Sequence, residues 1–149
     1  MSNYPGTAGA SRILLIEDNP GDVELLQLAF QNAGVEFDMT TMDDGGAALA
    51  YFSRALDSQV ELLPALVILD MNLPKCDGLE ILAAFGSNPA FQSVPVALFS
   101  SSSAPPNGSV IDSVQGACYI RKPPDLDGFM DVGRRLKELL LKASAAGTD

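Results

Sequence analysis

No histidine occurs anywhere in the 149 residues, and this absence removes more chemistry than any other feature of the composition. Ser-His-Asp and Cys-His arrangements need an imidazole as general base, and His-ligated zinc needs one as a ligand. The chain also cannot carry a phosphohistidine of its own. Cysteine is scarce: Cys76 and Cys118 are the only two, which makes neither a disulfide framework nor a metal spacing. Basic residues are few, nine Lys and Arg against nineteen Asp and Glu, for a formal net charge of −10. Without a basic patch there is no electrostatic footprint for a phosphate backbone, so no nucleic-acid partner is expected. No apolar run approaches the roughly 20 residues needed to cross a bilayer. The opening M-S-N-Y-P-G-T has no charged region followed by an apolar one. No membrane partner is expected, and the cytoplasm is the expected compartment. What remains for chemistry is carboxylates, hydroxyls, lysine or a bound hard metal.

A hydrophobic content of 47 % and this length fit one domain with a good core. The stretch that organises it is A-L-V-I-L-D-M-N-L-P-K-C-D-G, residues 65–78. Five apolar residues, Ala65 to Leu69, suit a strand buried on both faces of a parallel sheet. The run stops at Asp70, and Asn72, Pro74, Asp77 and Gly78 supply turn and helix-start chemistry.

The same alternation repeats along the chain. Residues 1–11 read as a flexible leader. Arg12 to Ile16 form a short buried strand followed at once by Glu17 and Asp18. Asn19 can cap a helix whose first position suits Pro20; Val23, Leu26, Phe30 and Ala33 share one face, and Gly34 stops it. Val35 to Met42 read as a strand, and Asp43 to Gly46 turn into a helix carrying Leu49, Phe52 and Leu56. After the central strand, Asp77 and Glu80 stand in capping-box spacing before Leu79, Leu82 and Phe85. Val94 to Phe99 form a fourth strand, then come the serines 100–103 and a short helix over 109–116. Ala117 to Arg121 form a fifth strand, followed by Lys122. Asp125 opens a final helix through about Lys142, with Phe129, Leu136 and Leu140 on one stripe, and 143–149 read as a disordered tail.

Strand and helix alternating five times argue an α/β fold, a doubly wound parallel sheet with helices on both faces. Its common five-stranded solution is the flavodoxin-like (βα)5 order 2-1-3-4-5. Glu17, Asp18, Asp70, Ser100 and Lys122 each sit at a strand's carboxyl end, so this order brings them to one edge. Three carboxylates so close repel one another, and a divalent cation resolves the conflict. Oxygen-only ligands suit a hard, partly hydrated Mg²⁺. Such a pocket beside a lysine and a hydroxyl suits a phosphoryl group. Asp70 is then the natural carboxylate nucleophile, giving an aspartyl phosphate.

E-D-N-P-G-D, D-M-N-L-P-K-C-D-G, the strand-4 serine and Y-I-R-K-P-P together resemble the receiver domain of two-component response regulators, over roughly residues 12–141. L-I-E-D-N-P-G-D and the D-x-N-L-P-K-x-D-G loop look most like the stand-alone regulators paired with bacterial phytochrome histidine kinases. The resemblance implies a phosphorelay protein with a receiver domain over 12–142 and no effector domain, working through phosphorylation-dependent protein binding rather than as a turnover enzyme. It implies Asp70 as phosphoacceptor, Asp18, Asp70 and the Asn72 backbone carbonyl as Mg²⁺ ligands, and Glu17 acting through water. Lys122 would pair with the phosphoryl group, Ser100 would be the switch hydroxyl, and Tyr119 the aromatic that changes rotamer with it. Ser100 stands where threonine is more usual, and residues 101–109 are rich in serine, proline and glycine where the family has a regular loop and fourth helix.

A phosphate sink is one alternative, and a Mg²⁺-dependent phosphatase with an aspartate nucleophile is another. The phosphatase needs a carboxylic acid two residues beyond Asp70, where this chain has Asn72. A flavodoxin-like FMN site needs a hydroxyl- and glycine-rich loop after strand 1, where Glu17 and Asp18 would repel a phosphate ester. The last helix adds one expectation. Arg134, Arg135 and Lys137 form a basic patch, and Leu139, Leu140 and Leu141 exceed what one core-facing stripe needs. A homodimer through this helix, with Leu139 and Leu140 at its interface, would bury the surplus.

Overall fold

The computed structural model describes residues 10–54, 63–74, 76–101, 114 and 117–147. Residues 1–9 of the expected leader, Leu56 of the expected second helix, the link after it up to residue 62, the serine-rich stretch beyond Ser101 and, but for Val114, the expected helix over 109–116 lie outside these residues. Ser11, expected in the leader, instead opens the first strand. Among the described residues, five strands, β1 (Ser11–Ile16), β2 (Phe37–Met42), β3 (Leu66–Asp70), β4 (Val96–Ser100) and β5 (Ala117–Arg121), alternate with four helices. These are α1 (Pro20–Asn32), α2 (Gly45–Ser53), α3 (Gly78–Ser87) and α4 (Leu126–Gly147), with a 3₁₀ turn at Pro89–Phe91. All strand pairings are parallel, in the order β2-β1-β3-β4-β5, as expected.

Strand alternation divides the core into two layers. Leu14, Ile16, Val67, Leu69, Val96 and Leu98 face α2 and α3. Ile13, Leu15, Leu66, Ile68, Ala97 and Phe99 face α1 and α4. Phe52, Phe85 and Phe91 meet edge to face or tilted at centroid distances of 5.1–5.5 Å and anchor the first layer. In the second, Gly133 lets α4 approach α1, since a Cβ there would fall 2.5 Å from the carbonyl oxygen of Ala29.

Several boundaries differ from expectation for identifiable reasons. β2 starts at Phe37 because Gly34 (φ 78°) and Val35 close α1: Gly34 N–H bonds Gln31 O and Val35 N–H bonds Phe30 O, a Schellman motif. The cap of α3 uses Asp77 alone, its carboxylate accepting from Leu79 N–H at 3.0 Å rather than from Glu80 N–H. Ile81, omitted from the expected face, is fully buried there. α4 continues through Gly147, so the tail expected to be disordered from 143 is helical to 147; A-S-A-A contains good helix formers and no stop signal before that glycine.

Candidate functional site

The site is built where β1, β3, β4 and β5 end together. Asp70 and Ser100 are the last residues of β3 and β4, and each is almost completely buried, at 2 % and 3 % exposure. Asp70 follows Leu66 and Ile68 in the alternation, which puts it on the α1/α4 side of the sheet. Lys122 follows β5 immediately, its N–H donating to Ser100 O at 2.6 Å. Past β1 the chain turns sharply. Asn19 Oδ1 accepts from Gly21 N–H at 2.8 Å and Asp22 N–H at 3.3 Å, starting α1 at Pro20. This turn leaves Glu17 buried, Asp18 exposed and Asp22 in the first turn of α1.

Lys122 is the cation of the cluster. Its Nζ stands 2.8 Å from Asp22 Oδ2, 3.2 Å from Glu17 Oε1 and 3.5 Å from Asp70 Oδ1. The ammonium also lies 5.6 Å from the centre of the Phe99 ring, within reach of a cation–π contact. Burial pushes the lysine pKa down, but the hydrogen bond to Asp22 and the charges of Glu17, Asp70 and Asp22 outweigh it and leave it above its ordinary value. Glu17 moves the other way in charge: burial, reinforced by a shared hydrogen bond and repulsion with Asp70, raises its pKa to about 8 against the pull of Lys122.

Asn72 organises the opposite lip. Its N–H donates to Asp70 Oδ1 at 2.8 Å, a tight turn directly after the strand. Its side-chain oxygen accepts from Ser100 Oγ at 3.2 Å, Ser101 N–H at 2.9 Å and Ser101 Oγ at 3.2 Å. Tyr119 is half-buried on β5, against the α2/α3 core layer. Ser100 continues the alternation of Val96 and Leu98 on that same face.

The structure therefore gathers Glu17, Asp18, Asp70, Asn72, Ser100 and Lys122 at one edge. The expected dimer residues are elsewhere, and the expectation needs correcting in detail. Leu140 is a core residue, Leu139 is half-buried against the core, and only Leu141 of the three is exposed, at 60 %. The expected basic patch is engaged within the fold, with Arg135 donating to Cys118 Sγ at 3.7 Å. Arg134 pairs with Asp131, and Lys137 donates to Ala33 O at 2.9 Å.

Two contributions were missed in the sequence, the carboxylate of Asp22 and the side chain of Asn72. The signal for Asp22 was present, because an Asn19-Pro20 start fixes residue 22 in the first turn of a helix that leaves β1 beside the site. The Asn72 side-chain contacts run to Ser100 and Ser101, about 30 residues on, and no local signal announces them.

The donor set fits a hard divalent cation. Glu17, Asp18 and Asp70 each offer a carboxylate oxygen, all within 4.8 Å of one another. Glu17 Oε1 is buried with no hydrogen-bond partner, although Lys122 is within ion-pair range. A buried carboxylate oxygen left in this way is a position a cation can satisfy.

Comparison with known proteins agrees with this geometry. Residues 13–132 match the response regulator receiver domain family. The response regulator Rcp1 of Synechocystis sp. is 31 % identical over 130 residues, covering 87 % of this chain and 88 % of its own. The crystal structure of the phosphorylated cyanobacterial phytochrome response regulator RcpA superposes with a TM-score of 0.69 at 33 % identity, covering 89 % of this chain and 94 % of that one. The Mn²⁺-bound form of Rcp1 gives a TM-score of 0.69 at 29 % identity, covering 86 % and 92 %.

Proposed function

The chain belongs to the response regulator receiver domain family, and from that membership we propose that it accepts a phosphoryl group from a histidine kinase onto Asp70 in a Mg²⁺-dependent reaction. The observation that carries this is the buried Asp70 carboxylate, held by Asn72 N–H at 2.8 Å and facing Lys122 at 3.5 Å. With Oδ1 engaged in both contacts, Oδ2 is the oxygen assigned as nucleophile. It forms the new O–P bond as the bond from phosphorus to the kinase imidazole breaks. Lys122 offsets charge on the transferred group, and the Ser100 hydroxyl leaves Asn72 to donate to a phosphoryl oxygen. Asp18, Asp70 and the Asn72 backbone carbonyl would hold Mg²⁺, with Glu17 acting through water. Bound there, the ion neutralises charge on the phosphoryl oxygens.

The product is an acyl phosphate that signals by changing which proteins the domain binds, with Ser100 and Tyr119 as the moving pair. The protein acts as a receiver and not as a turnover enzyme. A phosphatase role is disfavoured because Asn72, where that chemistry needs an acid, cannot donate a carboxyl proton. Similarity to Rcp1 and to a phytochrome response regulator supports a phytochrome-type kinase as donor, and a cytoplasmic site of action follows from that pairing. The proposed receiver unit, read from the sequence as 12–142, takes in all of β1 from Ser11 and runs into α4, and homodimerisation through α4 is part of the same proposal.

The test is phosphotransfer from autophosphorylated histidine kinases. We expect label to move from a phytochrome-type kinase to this chain faster than from unrelated kinases, and not at all to Asp70→Asn. Equal rates from every kinase would remove the phytochrome pairing, and labelling of Asp70→Asn would remove the acceptor.

A further inference from the structure

The shortest ion pair of Lys122 is with Asp22, at 2.8 Å, and not with either carboxylate expected beside it. Both side chains are shielded, at 16 % and 17 % exposure, where water screens an ion pair less than at the surface. Asp22 lies outside the group of carboxylates close enough to share a cation, which is Glu17, Asp18 and Asp70. Its place is set by the start of α1, through its N–H bond to Asn19 Oδ1. A carboxylate has thus been fixed on the helix, against the lysine and apart from the metal ligands.

We propose that Asp22 is a positioning residue that holds Lys122 in the unphosphorylated protein and competes with the phosphoryl group for its ammonium. This deepens the receiver function proposed above and rests on it. Lys122 is 3.5 Å from Asp70 Oδ1, so a phosphoryl group on Asp70 draws on the same ammonium that Asp22 holds at 2.8 Å. Lysine suits such an exchange, being a compact charge on a flexible stem with no fixed fork to realign. The contact favours the resting arrangement, and a ligand that needs the other arrangement binds with an apparent affinity lowered by the share of molecules held at rest. Asp22 then sets how readily the site responds, while the nucleophile and metal ligands stay as they are.

The test uses beryllofluoride, a stable stand-in for the phosphoryl group, at saturating Mg²⁺, with binding followed by ¹⁹F NMR. We expect Asp22→Asn to bind it roughly two- to five-fold more tightly than wild type, the range of a partly shielded ion pair. Asp22→Ser provides the same loss of charge in a second side chain, and thermal unfolding checks that each variant is folded. The control is Glu24→Gln, which removes one negative charge from an exposed position two residues further along α1; its affinity should match wild type. Structural damage lowers affinity, so a gain separates competition from misfolding. Unchanged or weaker binding by both Asp22 variants would overturn the proposal, as would an equal gain from Glu24→Gln, which would reduce the effect to bulk charge. Wild-type protein that fails to bind beryllofluoride would overturn the receiver reading and this inference together. Wild-type binding without a gain at Asp22 would overturn only the inference.

Discussion

The hydroxyl of Ser100 donates to the side-chain oxygen of Asn72 across 3.2 Å, joining the ends of β4 and β3. The same oxygen also takes the N–H and hydroxyl of Ser101. One amide oxygen therefore gathers the proposed switch hydroxyl and both Ser101 donors.

Ser100→Ala should leave the fold nearly intact, because Asn72 keeps the two Ser101 donors. A loss of about 0.5–1.5 kcal/mol in denaturant unfolding is expected, the value of one hydrogen bond. Asn72→Ala strips all three donors of their acceptor and should cost more. If the two variants were equally stable, the Asn72 side chain would not be the latch described here.

Glu17 makes the metal-free protein sensitive to pH. Its carboxyl is raised from 4.5 to about 8 in the folded state, so between those values the folded chain binds more protons than the unfolded one. Stability therefore falls as pH rises through that window, by a few kcal/mol at most. Lys122 is raised above 10.5; its stabilising contribution is present below that value and disappears only at higher pH, outside the window. In EDTA, melting temperature should drop from pH 5 to pH 8 in wild type and stay flatter in Glu17→Gln. Parallel curves for the two would remove Glu17 as the cause.

Removal of proposed metal ligands should rank in a definite order. Asp18→Ala deletes a direct ligand, whereas Glu17→Gln keeps an oxygen that can hold a bridging water. Calorimetric titration should find the larger loss of Mg²⁺ affinity in Asp18→Ala. The reverse order would contradict the proposed ligand roles.

Lys122→Ala should retain part of the phosphoryl uptake but lose the conformational response, since its pair with the phosphoryl group exists mainly in the phosphorylated state. Amide NMR shifts on phosphorylation should shrink in the variant, most clearly at Ser100 and Tyr119. Shifts as large as those of wild type would contradict the coupling role.

The C-terminal helix separates core from surface residue by residue. Leu140→Asp would bury a carboxylate in the α1/α4 layer and should unfold the protein, so it cannot test self-association. Leu141→Asp, at an exposed position, should leave thermal stability within about 0.5 kcal/mol of wild type. If α4 forms the dimer face, sedimentation should show wild type at twice the monomer mass and Leu141→Asp shifted toward monomer. A wild-type monomer at all concentrations would end that proposal.

Much of this was legible in the sequence because the relevant signals are local. Apolar runs ending in Asp70 or just before Glu17 mark strand ends, and Asn19-Pro20 and Asp77 mark helix starts. Alternation then points to the common 2-1-3-4-5 sheet order, and that order brings the site together. What could not be read depends on contacts between distant segments. Asn72 finds Ser101, and Lys122 finds Asp22 across 100 residues, by packing geometry that no short pattern encodes. The three leucines of α4 show the same limit at close range. A surplus of apolar residues is visible in the sequence, but which of them faces the core follows from how the helix rotates against α1.

The most direct measurement is intact mass after incubation with acetyl phosphate and Mg²⁺. Wild type should gain the mass of one phosphoryl group, removable by hydroxylamine as an acyl phosphate is, and should gain nothing when EDTA replaces Mg²⁺. Asp70→Asn should stay at its unmodified mass under every condition. A wild-type protein that never gains the group, or an Asp70→Asn variant that gains it as readily, would contradict the assignment of Asp70 as phosphoacceptor.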